Sequence, residues 1–132
     1  MTKRTLILLV FVSIWLAGCA MNPPVLDSPR TVNVSGEASM EEIEDAILNA
    51  MRNRGWAVHE RSRGEIIADL NIRAHFARVG ISYDTDLIAI DYIDSNNLEY
   101  EVVDGEPRIH GNFNSWLSNL SNDIEINLSY LD

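Results

Sequence analysis

Cysteine, lysine and long apolar runs are all scarce in this chain of 132 residues. Cys19 is the only cysteine, so an intrachain disulfide is excluded and one unpaired thiol needs an explanation. The apolar run over residues 6–17 is shorter than the roughly 20 residues that a helix needs to cross a bilayer. The only lysine is Lys3. Because nucleic-acid binding depends on lysine and arginine contacts with phosphates, we expect no nucleic-acid partner.

Catalytic motifs are also missing. The chain has no Gly-x-Ser-x-Gly nucleophile elbow, and its glycines stand too far apart to form a phosphate-binding loop. With 20 acidic residues, pairs of carboxylates can be chosen in many ways, so no single pair indicates acid–base catalysis. We therefore expect no catalytic residues and a protein that is not an enzyme.

The N-terminal segment is what the sequence does contain. Lys3 and Arg4 precede the apolar run, and small residues follow it, a pattern typical of a secretory signal. The end of this segment, Leu16-Ala17-Gly18-Cys19, resembles the lipobox of bacterial lipoproteins. In that family a signal peptidase cuts directly before the cysteine, whose thiol carries a diacylglycerol. The resemblance implies cleavage between Gly18 and Cys19 and lipidation of Cys19.

The same resemblance implies a location. Two or more acyl chains hold a protein firmly on a membrane, because burying each CH₂ contributes about 0.8 kcal/mol. In Gram-negative lipoproteins an aspartate after the cysteine usually retains the protein at the inner membrane, and Ala20 stands there in this chain. We therefore expect attachment to the periplasmic face of the outer membrane; the inner membrane or another cell membrane is the alternative.

Removal of residues 1–18 leaves one strongly acidic chain. Without Lys3 and Arg4 the net charge changes from −10 to −12, which favours solubility and gives the polypeptide no attraction to anionic lipids. Three of the four prolines lie between residues 23 and 29. We interpret residues 19–30 as a flexible lipidated tether and residues 31–132 as a single domain.

The first part of the domain has clear helix signals. Ser39 and Glu42 form a capping box, in which each side chain bonds the free amide of the other residue. Gly55 suits the left-handed position that ends a helix. Between them, apolar residues recur at helical spacing and predict one buried face: Ile43, Ile47, Ala50 and Met51.

Strands and a second helix are predicted around it. Short strands are expected at 31–35 and 56–60, a turn at Arg63-Gly64, a long alternating strand over 66–76, a turn near Ala77-Arg78, and further strands over 79–83 and 88–92. Residues 98–108 are expected to be mostly loop. Helical spacing resumes over 113–131, where Asn112 or Asn114 is expected to cap the start. The predicted class is α+β in the order β-α-β-β-β(-β)-α, an antiparallel sheet with both helices packed on one face.

A second resemblance comes from residues 94–98 and 109–116. The string His110-Gly111-Asn112-Phe113-Asn114-Ser115-Trp116 is similar to one that opens the last helix in a group of small proteobacterial lipoproteins of unknown function. That family carries no established activity, so the resemblance implies no catalytic role for these residues.

Two groups of polar residues are candidate binding sites. Arg73 and His75 are predicted on the wet face of one strand and Asp91 on the same face of another, which suggests a polar groove on the uncovered side of the sheet. Ordinary cross-strand charge pairing is the simpler interpretation. The alternative group is His110, Asn112, Asn114 and Trp116. None of the three histidines has metal-ligand spacing, so no metal or cofactor is expected.

Together these features suggest a tethered, non-catalytic interaction or accessory domain of the cell envelope, with the membrane and an unidentified envelope protein as its partners. The first alternative is a small-molecule or metal-binding module that uses the open sheet face. An envelope hydrolase is the weaker alternative, for which the sequence offers no named residue.

Overall fold

The computed structural model of the chain describes residues 22–131. Cys19, Gly18 and the predicted signal segment therefore lie outside the described residues. The fold is α+β, as predicted. Its elements are β1 (Arg30–Asn33), α1 (Met40–Asn53), β2 (Ala57–Ser62), β3 (Glu65–Ile72), β4 (His75–Tyr83), β5 (Leu87–Asn96), β6 (Glu101–Val103), β7 (Glu106–Arg108) and α2 (Gly111–Ser129).

The main sheet is antiparallel throughout, with the strand order β1-β5-β4-β3-β2. Strands β2 to β5 form a meander, and β1 pairs with the outer side of β5. A separate hairpin of β6 and β7 occupies the segment that was predicted to be loop. Asp104 and Gly105 form its turn with φ of 52° and 78°, the pair of positive angles that an Asp-Gly hairpin turn adopts. The loop prediction was wrong because this turn signal was overlooked.

Helix α1 forms as its sequence signals predict. The Ser39 hydroxyl accepts a hydrogen bond from the Glu42 amide at 3.2 Å, and the Glu42 carboxylate accepts one from the Ser39 amide at 2.8 Å. Gly55 follows the helix with φ of 80°. The predicted apolar face is buried, and it consists of Ile43, Ile47, Ala50 and Met51.

Helix α2 begins differently from the prediction. Its N-cap is His110, whose Nδ1 accepts a hydrogen bond from the Asn112 amide at 3.1 Å, so neither Asn112 nor Asn114 caps the helix. Asn114 instead bonds the N-terminal segment. The helix packs against α1, where the Arg54 guanidinium donates to the Asp123 carboxylate at 2.7 Å.

Both helices cover the same face of the sheet. Alternate residues of the central strands join the helix side chains in one core and are fully or nearly fully buried. They are Ile66, Ala68, Leu70, Ala77, Val79, Ile81, Ile88 and Ile90 from the sheet, with Phe113, Leu117, Leu120 and Ile124 from α2. Burying large apolar side chains stabilises a fold by about 1.5–3 kcal/mol each, so this face carries most of the stability.

The central hairpin departs from the predicted register. The single strand predicted over 66–76 is in fact most of β3, a turn at Arg73-Ala74 and the start of β4. Arg73 adopts φ of 55° in this turn. Buried residues have even numbers in β3 and odd numbers in β4, so a turn must separate them; the predicted turn at Ala77-Arg78 was wrong by four residues.

Part of the predicted tether belongs to the folded domain. Val25 forms a bridge with Arg108 beside the hairpin, the Leu26 amide donates to the Pro107 carbonyl at 2.9 Å, and the Leu26 side chain packs against the core. The prolines do not prevent this, because their carbonyls still accept: Pro24 accepts from the Ile109 amide at 3.0 Å. The domain therefore begins before residue 31.

Candidate functional site

The three predicted surface residues do not come together. Arg73 lies in the exposed β3–β4 turn. His75 shares the helix-covered side of β4 with the buried Ala77, because it lies two residues before it. Asp91 is exposed on the opposite face of the sheet, where it pairs in register with Gly80. The groove predicted from Arg73, His75 and Asp91 was therefore wrong. The prediction placed the turn at Ala77-Arg78, whereas the actual turn at Arg73-Ala74 puts His75 on the helix-covered face.

His75 instead meets the second predicted group. Its ring centroid lies 6.3 Å from that of His110 and 6.3 Å from that of Trp116. The Nδ1 of His75 is 2.7 Å from the carbonyl oxygen of Asn97, which places it as the donor. These contacts join the start of β4, the end of β5 and the start of α2, so the group fixes one end of the domain.

The uncovered face of the sheet is centred on Gly80. A Cβ atom placed there would lie 3.2 Å from Cδ1 of Ile93 and 3.7 Å from Cδ1 of Ile67. The two isoleucines therefore lean over a position that has no side chain. Ile93 lies on the same face as Asp91, which is two residues before it in β5, and it is the extra residue of the β4–β5 bulge between the Val79–Tyr92 and Arg78–Asp94 pairs. The Ile93 side chain is 45% exposed.

A charged pair borders these isoleucines. Arg78 and Asp69 face each other across β3 and β4, and the guanidinium donates two hydrogen bonds to the carboxylate, at 2.7 and 2.8 Å. His59 lies beside them, with Nδ1 3.3 Å from the arginine and 3.5 Å from the carboxylate. The guanidinium also lies 5.4 Å from the centre of the Phe76 ring. The pair is therefore held in place on both sides.

Electrostatics on this face follow from that geometry. The hydrogen bonds from Arg78 hold the pKa of the Asp69 carboxyl below its usual value, against the opposing effect of partial burial. The same contact raises the pKa of Arg78. Both side chains therefore stay charged across the physiological range. Such a bidentate pair presents a rigid polar border next to the apolar centre.

Two adjoining grooves lie at the end of the domain where α2 begins. One, of about 480 Å³, follows residues 92–100, and the other, of about 370 Å³, lies between residues 22–23 and residues 99–101. Tyr100 lines both, and its ring stacks on that of Tyr92 with the centroids 4.6 Å apart. Glu99 adopts φ of 55°, an uncommon angle for a residue with a side chain, and directs the chain around this corner.

Neither a metal cluster nor a membrane-spanning helix occurs in the part of the chain that the structure describes. Over residues 22–131 no group of three or more His, Cys, Asp or Glu side chains is placed to hold a metal ion. Within the same range no helix is both long and apolar enough to cross a bilayer.

The sequence reasoning missed Gly80, Arg78 and Ile93. The signal for Arg78 was present: the change of parity between the buried residues of β3 and β4 moves the turn to Arg73-Ala74 and places Arg78 opposite Asp69. The signal for Ile93 was also present, because it lies two residues after Asp91 and side chains two residues apart along a strand share a face.

No protein-family model, curated protein or solved structure matches the chain.

Proposed function

We propose that this chain is a lipoprotein of the bacterial cell envelope, anchored through lipid on Cys19 to the periplasmic face of the outer membrane. Its domain is a non-catalytic module that binds an envelope protein on the uncovered face of the sheet. The lipobox of residues 16–19 supports the anchor. The arrangement around Gly80 supports the binding role.

The observation that carries the binding proposal is the contrast within this face. Its centre is apolar, with Ile67 and Ile93 over the bare backbone of Gly80, and its border is the fixed pair of Asp69 and Arg78. Protein interfaces commonly combine an apolar centre with a polar rim, and arginine is enriched in them. An antiparallel sheet tolerates a solvated face, but it does not require isoleucines at the middle of that face.

Photo-crosslinking in intact cells tests the binding role. A photoreactive amino acid is placed on the uncovered face at Ser82 or Asp91, and on the outer faces of the helices at Asn49 or Asn122 as matched controls; all four positions are exposed. We expect one discrete adduct from Ser82 and Asp91 and none from the controls. Equal adducts from both faces, or none from the sheet positions, would refute the proposed surface.

A separate measurement tests the anchor. Mass spectrometry of the purified mature protein is expected to show an N-terminal Cys19 bearing two or three acyl chains, and the protein is expected in the outer-membrane fraction. The Cys19→Ala variant should lack the lipid and leave that fraction. An unmodified wild-type thiol would contradict the lipoprotein assignment.

A further inference from the structure

The chain is fixed to the domain almost from the first residue that the structure describes. Besides the bridge of Val25 to Arg108, the Asn114 side chain holds the segment from α2. Its Oδ1 accepts from the Asp27 amide at 2.9 Å, and its Nδ2 donates to the Val25 carbonyl at 2.9 Å. The Arg108 guanidinium donates to the Pro23 carbonyl, also at 2.9 Å. The folded domain therefore includes Pro23.

The chain leaves the domain at one defined end. Asn22 lies in the groove beside Glu99, Tyr100 and Glu101. Hydrogen bonds link this corner to the rest of the end, since His110 donates from its amide to the Leu98 carbonyl at 2.8 Å and the Asn97 side chain donates to the Ala74 carbonyl at 3.3 Å. We call this the anchor end. It consists of Asn22, the Arg73-Ala74 turn, residues 97–101 and residues 110–112.

The distance from the anchor end to the lipid is short. Cys19 and Asn22 are three residues apart. Because consecutive Cα atoms are 3.8 Å apart, that stretch spans at most about 11 Å. We propose that the anchor end lies against the phospholipid headgroups of the membrane that holds the lipid. This inference rests on the proposed lipidation of Cys19.

The chemistry of the anchor end suits zwitterionic headgroups. The Tyr100 side chain is 43% exposed with its ring supported by Tyr92, and tyrosine is favoured where an apolar surface meets water at the membrane boundary. Glu99 and Glu101 flank it, so an ammonium-bearing headgroup is attracted and a purely anionic one is repelled. The adjoining grooves leave room for such headgroups.

The opposite end of the domain lies at the start of β3 and the end of β4. The turn at Arg63-Gly64, the β4–β5 loop and the start of α1 meet there, as the bond from the Tyr83 amide to the Gly64 carbonyl shows. This end lies a full strand length from the link to Cys19, and it too carries exposed carboxylates. They are Glu37, Glu41, Glu42, Glu65, Asp84 and Asp86. The strands therefore run away from the bilayer, and the uncovered sheet face is presented sideways.

Fluorescence quenching in vesicles tests this orientation. Because the only native cysteine is the predicted lipid carrier, an introduced cysteine supplies a single free thiol for a fluorophore. Ala74→Cys labels the anchor end, and Thr85→Cys labels the opposite end; both positions are exposed turn residues. The nine residues of β4 separate the two ends by about 26 Å at 3.3 Å per residue. The lipidated full chain is reconstituted in phosphatidylethanolamine–phosphatidylcholine vesicles that contain a nitroxide-headgroup lipid.

We expect at least threefold stronger quenching at position 74 than at position 85. Insertion of ten Gly and Ser residues between Ala20 and Met21 keeps the anchor but lengthens the tether, and it should remove most of the difference. Equal quenching at the two positions, or none at position 74, in protein that floats with the vesicles would overturn the orientation alone. A chain that carries no acyl groups and does not float would overturn the anchoring, and the orientation with it.

Discussion

The two faces of the five-stranded sheet differ in what holds their side chains in place. On the covered face, Ile81 and Ile90 are fully buried against two helices. On the uncovered face, Ile67 and Ile93 lie over Gly80, and the Arg78 guanidinium donates hydrogen bonds to the Asp69 carboxylate. The covered face is explained by folding alone. The uncovered face has a fixed ion pair and exposed apolar side chains that folding does not require. It is therefore the proposed binding surface.

The largest expected difference between the faces is in stability. Phe113→Ala removes a fully buried ring that meets Tyr92 edge-on at 5.6 Å, and we expect it to lower the free energy of unfolding by about 3–5 kcal/mol. Ile93→Ala on the uncovered face should cost less than about 1 kcal/mol because its side chain is 45% exposed. Urea unfolding followed by tryptophan fluorescence measures both. Similar losses would show that the uncovered face also stabilises the fold.

A smaller effect is expected at the start of α2, which closes the covered face. His110→Ala removes the acceptor for the Asn112 amide, and loss of an N-cap typically costs about 1 kcal/mol. His110→Asn supplies another good capping oxygen and should recover most of that loss. The urea midpoints of the two variants give the comparison. If both substitutions cost the same, then packing of the histidine against His75, rather than capping, stabilises this end.

The charged pair of the uncovered face predicts a dependence on acid. The pKa of Asp69 is lowered in the folded protein, chiefly by the hydrogen bonds from Arg78. Its contribution is therefore complete above the unfolded pKa of about 3.9 and is lost as pH falls through the lower folded value. Arg78→Gln should reduce stability at pH 7 by roughly 0.2–1 kcal/mol and have less effect at pH 2.

Urea unfolding at pH 7, 4, 3 and 2 measures that difference. Arg52→Gln is the matched control, because Arg52 bonds Asn49 and not a carboxylate. If Arg78→Gln lowers the free energy of unfolding by the same amount at every pH, then the hydrogen bonds from Arg78 are not the cause of the lowered pKa of Asp69.

The smallest stability effect is expected at the centre of the uncovered face. In Gly80→Ala, reduced freedom of the unfolded chain stabilises by about 0.4–1 kcal/mol, and the contact at 3.2 Å with the mobile end of Ile93 opposes this gain. The net change in the free energy of unfolding should stay within about 0.5 kcal/mol. The crosslink from Asp91 should nevertheless weaken, because Ile93 has to move. An unchanged adduct would place the binding surface elsewhere.

Local signals made some of the fold predictable. The Ser39–Glu42 capping box and Gly55 set the ends of α1, because capping involves only neighbouring residues. The Asp104-Gly105 turn was equally local and was misread. The candidate site was not predictable in the same way. The predicted turn was misplaced by four residues along the chain, and the prediction therefore assigned His75 to the wet side of the sheet instead of the helix-covered side.

The sequence by itself determined the acidic character of the chain, its single thiol, the two amphipathic helices and the alternation of the central strands, because these depend on composition and on short spacings. Only the tertiary structure decided that His59 lies beside the pair of Arg78 and Asp69, and that residues 23–27 join the domain. These contacts link residues that are distant along the chain, and their geometry is set by strand register and packing, which no local pattern encodes.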